Sequence, residues 1–289
     1  MSDGPQIRML PDGRRLHLNH GPMDLIVEAM GDADQVARAY DQAKRRFIGM
    51  LDELVAELGR LRAPVARPRW YPTGPVAQRM AAAAWPHRAH FVTPMAAVAG
   101  AVADEILASL TVGRTLDRAY VNDGGDIAFH LSPGEQLTAG LVGDYHLPAI
   151  DATCALGFHS AIRGIASSGW KGRSFSLGIA DSVTVLASNA AAADVAATLI
   201  ANAVNVEDPA IERAPASSLD PDSDLAERLV TVAVGDLKPG AVTAALDAGR
   251  EVAAVLERAG LICAAVLVLR QHYRVAGEVP AGLIAATAA

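Results

Sequence analysis

Two segments of this chain, about sixty residues apart, carry the residue types that chemistry needs. The first is Val121-Asn122-Asp123-Gly124-Gly125-Asp126-Ile127, with adjacent glycines and flanking acids at a strand turn. Two glycines permit positive φ and let a ligand approach backbone amides closely, as a phosphate or ribose requires. The competing reading is an ordinary β-hairpin, because Asp-Gly is a strong hairpin signal. The second segment is Ser182-Val183-Thr184-Val185-Leu186-Ala187, running into Ala193-Asp194-Val195-Ala196-Ala197-Thr198. Asp194 and Thr198 stand four apart on a helix, so they share a face. A carboxylate and a hydroxyl so placed offer two oxygens to a hard cation such as Mg²⁺. Their structural alternatives are a carboxylate that favours a helix N-terminus and a threonine bonded back to its own helix.

A third segment, Gly164-Ile165-Ala166-Ser167-Ser168-Gly169, follows with Trp170, Lys171 and Arg173. Its hydroxyls and amides can meet an anion, and the cations can hold a pyrophosphate or stack on a ring. A solvated loop explains the same residues. The eight histidines, His17, His20, His87, His90, His130, His146, His159 and His272, are scattered. None pairs with Ser or Cys in a nucleophile motif. No catalytic residue is assigned.

The elements that must position these groups are legible from periodicity. Leu16 and Leu18, then Leu25 and Val27, read as two strands around a His20-Gly21-Pro22 turn. Asp32 to Arg62 reads as one long amphipathic helix with Val36, Tyr40, Phe47, Leu51, Leu54 and Leu58 on one face. Residues 63–75 are Pro-rich and read as a stiff linker. Helices are expected at Val76–Ala84 and Pro94–Leu110, and strands dominate Arg118–Ala187. Asn189 is expected to cap a helix running to about Val204. Residues 207–224 read as a surface loop. A strand Leu229–Val234, a helix Pro239–Arg258 and a strand Cys263–Leu269 complete the pattern. Helices and strands mix without strict βαβ alternation, which predicts an α+β fold with mostly antiparallel sheets and packed helices. The whole of 1–289 is expected as a single domain, with two subdomains left open.

The 289 residues are 51% hydrophobic and only 4% aromatic, so the core must be built from Ala, Val, Leu and Ile. A net charge of −7 without a basic block argues against a nucleic-acid partner. Two cysteines, Cys154 and Cys263, lie too far apart to suggest a zinc site or a disulfide framework. Met1 to Pro11 shows no apolar signal region, and no apolar run is expected to reach membrane-spanning length. The expectation is a cytoplasmic protein with no membrane partner. A protein substrate and a homo-oligomer both stay open.

Four of these phrases, in order, resemble the FAD:protein FMN transferases, the ApbE family. That family carries Lys-Gly-x-x-x-Asp, Asn-x-Gly-Gly-Asp, Thr-Ser-Gly, and Ser-Val-Thr-Val followed by Ala-Asp-Ala-x-x-Thr. The chain has Ala99-Gly100 to Asp104, Asn122 to Asp126, Ser167-Ser168-Gly169, Ser182 to Val185 and Ala193 to Thr198. The resemblance covers about Met95 to Asn205. Phe91 to Gly100 and Gly172 to Asp181 resemble an uncharacterised branch of that superfamily more closely than the transferases. The resemblance implies an ApbE-like fold and a flavin-nucleotide ligand, FAD, with Mg²⁺. Asp194 and Thr198 would be metal ligands. Asn122, Gly124, Gly125, Asp126, Ser167, Ser168, Gly169 and Thr184 would line the nucleotide pocket. Asp194 and Thr198 are expected to face a cavity shared with the Gly124-Gly125 turn. Two departures stand out. The family's lysine is Ala99, and its His-Ile-x-Asp-Pro stretch is missing, with no histidine between His159 and His272.

Overall fold

The computed structural model describes residues 4–141 and 152–279. Along the chain come strands β1 (Gln6–Met9), β2 (Leu16–His20) and β3 (Met23–Met30). Helices α1 (Ala33–Phe47), α2 (Met50–Ala56), α3 (Leu58–Leu61), α4 (Pro75–Ala84) and α5 (Val98–Thr111) follow. Strands β4 (Arg118–Asp123), β5 (Asp126–Leu131), β6 (Gln136–Leu141), β7 (Ala152–Gly157), β8 (Gly164–Ser168) and β9 (Ser182–Ala187) lead to α6 (Ala190–Ala203). The last elements are β10 (Ile211–Pro215), α7 (Ala216–Leu219), β11 (Leu229–Val234), α8 (Pro239–Arg258), β12 (Ala264–Leu269) and β13 (His272–Gly277).

The described residues divide into two compact units. The first holds the chain up to Leu137 with Leu156–Ala166 and Ser188–Asp194; the second holds the remainder. In the first unit β1, β2, β3, β4, β5 and the start of β8 lie in that order, every neighbour antiparallel. The β2–β3 register pairs Leu18 with Leu25 and Leu16 with Val27. Those four side chains are essentially fully buried, so the alternation of the sequence is the inward face of the sheet. Helix α5 packs on β4, β5, α1 and α4 through Ala101, Val102, Ile106 and Leu110.

In the second unit β12 pairs antiparallel with both β9 and β13, and β10 pairs antiparallel with β11. All six residues of β9 are buried. Helix α8 covers β12 and β13. The strands and helices define an α+β fold with antiparallel pairing, as the sequence predicts.

Three expectations need correction. Asp32 to Arg62 is not one helix. Helix α1 starts where the Asp32 carboxylate accepts from the amides of Asp34 and Gln35, and it ends at Phe47. Ile48 is then extended and Gly49 takes a left-handed φ of 83°, which halts the helical path before α2. Residues 207–224 are not simply a surface loop. They contain β10 and α7, because Ile211 to Pro215 pairs with Leu229 to Val234 through a bulge at Glu212/Arg213. Arg213 anchors the strand on the Leu177 carbonyl, 2.6 Å away. The third concerns apolar length. Among the described residues, Pro94–Thr111 is long and apolar enough to cross a membrane by length and composition alone. Half of it is buried among the protein's own elements, as a core helix would be.

Candidate functional site

The β4–β5 connection is a two-residue hairpin turn. Asp123 pairs with Asp126, and Gly124 and Gly125 take φ of 64° and 113° between them. Positive φ at both central positions is what such a turn demands and what glycine supplies without strain. The Asn122 Oδ1 accepts the Gly125 amide at 2.8 Å, so its side chain is committed to the turn. A Cβ placed on Gly125 would meet no atom within 4 Å, so the turn is open to an incoming group. Asp123 and Asp126 flank it as buried carboxylates. The Asp24 amide donates to Asp123 at 3.3 Å. The structure therefore brings Asn122, Gly124, Gly125 and Asp126 together in one turn. The hairpin reading and the ligand-facing reading apply to the same residues.

Beside this turn two helix N-termini meet. The Asp194 carboxylate of α6 accepts the Gly100 amide in the first turn of α5 at 3.0 Å. In return, the Asp104 carboxylate of α5 accepts the Ala190 and Ala191 amides in the first turn of α6 at 3.0 and 2.9 Å. Each helix thus caps the other, satisfying amides that a helix start leaves unpaired. Asn189 adds a local cap by accepting the Ala192 amide at 2.8 Å. The approach is so close that a Cβ on Gly100 would lie 2.3 Å from the Ala190 carbonyl oxygen.

The electrostatics follow from this enclosure. Asp194 keeps some exposed surface as a residue, yet protein surrounds its carboxylate. Its pKa is raised to about 7, desolvation being the largest cause, with the Asp123 and Asp104 charges raising it and the Gly100 and Ala99 amides lowering it. Burial also raises the Asp104 pKa, against the Ala191 and Ala190 amides. Asp194 therefore feels the charges of both Asp123 and Asp104. Among the described residues, no group of three or more His, Cys, Asp or Glu is arranged to hold a metal ion by itself. Mg²⁺ usually takes one or two carboxylates and completes its shell with water and substrate phosphates. Asp194, with its charge raised in energy by burial and by Asp123, fits that kind of partial protein shell.

In the second unit the structure joins two more of the expected residues. The hydroxyls of Ser167 and Thr184 lie 2.8 Å apart. Ser168 is half-buried, and Gly169 is buried against the chain near Ala180 and Asp181. Lys171 pairs with Asp181 at 3.3 Å and sits 5.7 Å from the centre of the Trp170 ring, so this cation already has partners. Thr198 is half-buried on α6, one helical turn beyond Asp194. Of the two histidines that precede α5, His87 is buried and His90 exposed. Burial, helped by His90, lowers the His87 pKa to about 4. His146 lies outside the described residues.

Sequence reasoning did not single out Gly100, Asp104 and Asp123 as site residues. The signal was the Gly-x-x-x-Asp spacing of Gly100 and Asp104, which places an amide and a carboxylate on one face of α5. Nothing local, however, shows that the carboxylate serves another helix.

The model of the family described as AbpE bacteria matches residues 7–279, and the chain belongs to that family. Membership bears out the ApbE-like resemblance carried by Gly100 to Thr198. A UPF0280 protein of Methanopyrus kandleri is 36% identical over 162 residues, 54% of this chain and 61% of that protein. A UPF0280 protein of Methanothermobacter thermautotrophicus is 39% identical over 139 residues, 47% of this chain and 51% of that protein. The chain therefore matches between half and two thirds of the length of these curated relatives. The apo crystal structure of Pseudomonas stutzeri flavinyl transferase ApbE is similar with a TM-score of 0.45 and 11% identity, covering 94% of each chain.

Proposed function

We propose that this chain binds a phosphate-bearing flavin nucleotide, FAD, together with Mg²⁺. The single observation that supports the reading most is the Asp194 carboxylate. It stands at two mutually capped helix N-termini beside Asp123 of the Gly124-Gly125 turn, with its ionised form disfavoured by burial. Helix N-termini favour anions, but here Asp194 and Asp104 already take first-turn amides of α5 and α6. A phosphate approaching this place meets carboxylates, so a divalent cation is the natural mediator. When bound, Mg²⁺ would offset the charge of the phosphate oxygens. Asp194 and Thr198 would hold it. Gly124 and Gly125 would let the nucleotide approach the backbone, with Asn122 and Asp126 fixing the turn. Asp104 and Gly100 would position Asp194.

The activity that fits this ligand is cleavage of the FAD pyrophosphate, with the FMN phosphoryl group passed to a protein Thr or Ser hydroxyl or to water and AMP leaving. A second reading has its own observation. Ala99 replaces the family's lysine, and no histidine lies between His159 and His272. Loss of a general acid–base group typically costs about 10²–10⁴-fold in rate. A ligand-binding relative with weak or different catalysis is therefore the alternative. Incubating the protein with FAD, Mg²⁺ and a flavinylation substrate separates the two. Transfer or FMN release supports the enzyme, FAD binding without turnover supports the binding protein, and unchanged FAD fluorescence removes the flavin reading.

A further inference from the structure

The geometry points to a second binding site, in the first unit, for a small planar ring that carries one carboxylate or phosphate. A cavity of about 250 Å³ is lined by Arg60, Val65, Arg67, Trp70, Trp85 and Pro94, among others. Drug-sized ligands occupy pockets of roughly 300–1,000 Å³, so this one suits a ring with a single anionic group. Two of the chain's three tryptophans line it, although only 4% of the chain is aromatic. Its walls therefore offer flat, polarisable surface that an aliphatic core does not.

The charge is equally local. From Leu58 to Ala103 the sequence holds six arginines and no Asp or Glu, in a chain of net charge −7. Arginines lie over the indole rings here. Arg60 and Arg67 line the cavity, with the Arg60 guanidinium 5.5 Å from the Trp70 ring centre; Arg69 and Arg88, outside the lining, lie 5.2 and 4.8 Å from the Trp85 ring centre. A guanidinium's in-plane N–H groups can grip a carboxylate or phosphate in bidentate fashion, while Arg88 already donates to the Trp85 carbonyl at 3.1 Å. Arg79, by contrast, is paired with Glu105 at 2.9 Å. Ring-binding walls and a cationic rim in one cavity select an aromatic anion over a neutral ring or a bare inorganic ion.

The test is isothermal titration of the full chain with benzoate and with phenyl phosphate, using benzamide and inorganic phosphate as controls. At least one ring anion should bind tighter than about 1 mM, and the better of the two identifies carboxylate or phosphate. Benzamide and inorganic phosphate should each bind at least about tenfold more weakly. Arg60→Gln and Arg67→Gln, both at exposed positions, should each weaken the ring anion about tenfold, as loss of a charge-assisted hydrogen bond implies. Indole fluorescence should change along the same isotherm. No binding by either ring anion, equal binding by a control, or unchanged affinity in both arginine variants would overturn the assignment. None of these results depends on FAD or Mg²⁺, so failure here leaves the flavin reading to its own test.

Discussion

Asp104 and Asp194 sit on different helices, and each caps the helix that carries the other. Asp104 of α5 accepts two first-turn amides of α6, and Asp194 of α6 accepts the Gly100 amide of α5. Two positions of the motif set are thereby joined mechanically. Any change at Asp104 reaches Asp194 through two helix ends rather than through contact with ligand.

Replacing Asp104 by Ala should cost about 1–2 kcal/mol in urea unfolding, the usual range for losing a helix cap. Asp104→Asn keeps an accepting oxygen and removes a charge whose ionisation burial opposes. Only one of the two amides keeps its acceptor and the other faces the Asn NH2, so it should recover only part of that loss. Equal destabilisation by Ala and Asn would show that the charge, not the cap, is what matters.

Gly100→Ala places a methyl 2.3 Å from the Ala190 carbonyl oxygen. Backbone cannot yield there cheaply, so α5 and α6 must separate. A loss of about 1–3 kcal/mol is expected, in the range for overpacking. Alanine is the better helix former in isolation, so a variant as stable as the parent in thermal unfolding would contradict the close crossing.

His87 predicts a specific acid sensitivity. Its pKa falls from 6.5 to about 4 in the folded chain because burial disfavours the charged ring. The unfolded chain takes up the proton first as pH drops. The stability present above about pH 6.5 is therefore lost as pH falls towards 4, on the order of 3 kcal/mol. His87→Gln should flatten the dependence of Tm on pH across that window, whatever its absolute stability. A parallel profile for parent and variant would place the acid sensitivity elsewhere.

Much of the fold was legible because its signals are local. The Leu16/Leu18 and Leu25/Val27 alternation marks β2 and β3, Pro239 at the first helical position marks the start of α8, and Gly124-Gly125 marks the β4–β5 turn. The break after Phe47 was hidden because apolar periodicity continues through Leu54 while only Gly49 interrupts it. Strand β10 was hidden because its sequence reads as polar turn residues, and only its pairing with β11 makes it a strand. At the candidate site the residue types were legible, but their partners were not. Asn122, read as a nucleotide-pocket residue, also accepts the Gly125 amide, a partner no spacing announces. The exchange of caps between Asp104 and Asp194 spans about 90 positions of sequence, and no local pattern encodes it.

Asp194 is the most direct point at which to test the flavin-nucleotide reading. Burial raises its pKa from 3.8 to about 7, so its ionised form weakens the fold at neutral pH. Asp194→Asn keeps an oxygen for the Gly100 amide and removes that charge. The measurement is FAD titration, followed by flavin fluorescence, for the parent chain and Asp194→Asn, each with and without Mg²⁺. The parent should bind FAD at least about tenfold, or 1.4 kcal/mol, more tightly with Mg²⁺. Asp194→Asn should lose that increment while melting no lower than the parent in the absence of Mg²⁺. FAD binding that ignores Mg²⁺, or a Mg²⁺ increment that survives in Asp194→Asn, would contradict the assignment of Asp194 as a metal ligand and leave it a helix cap alone.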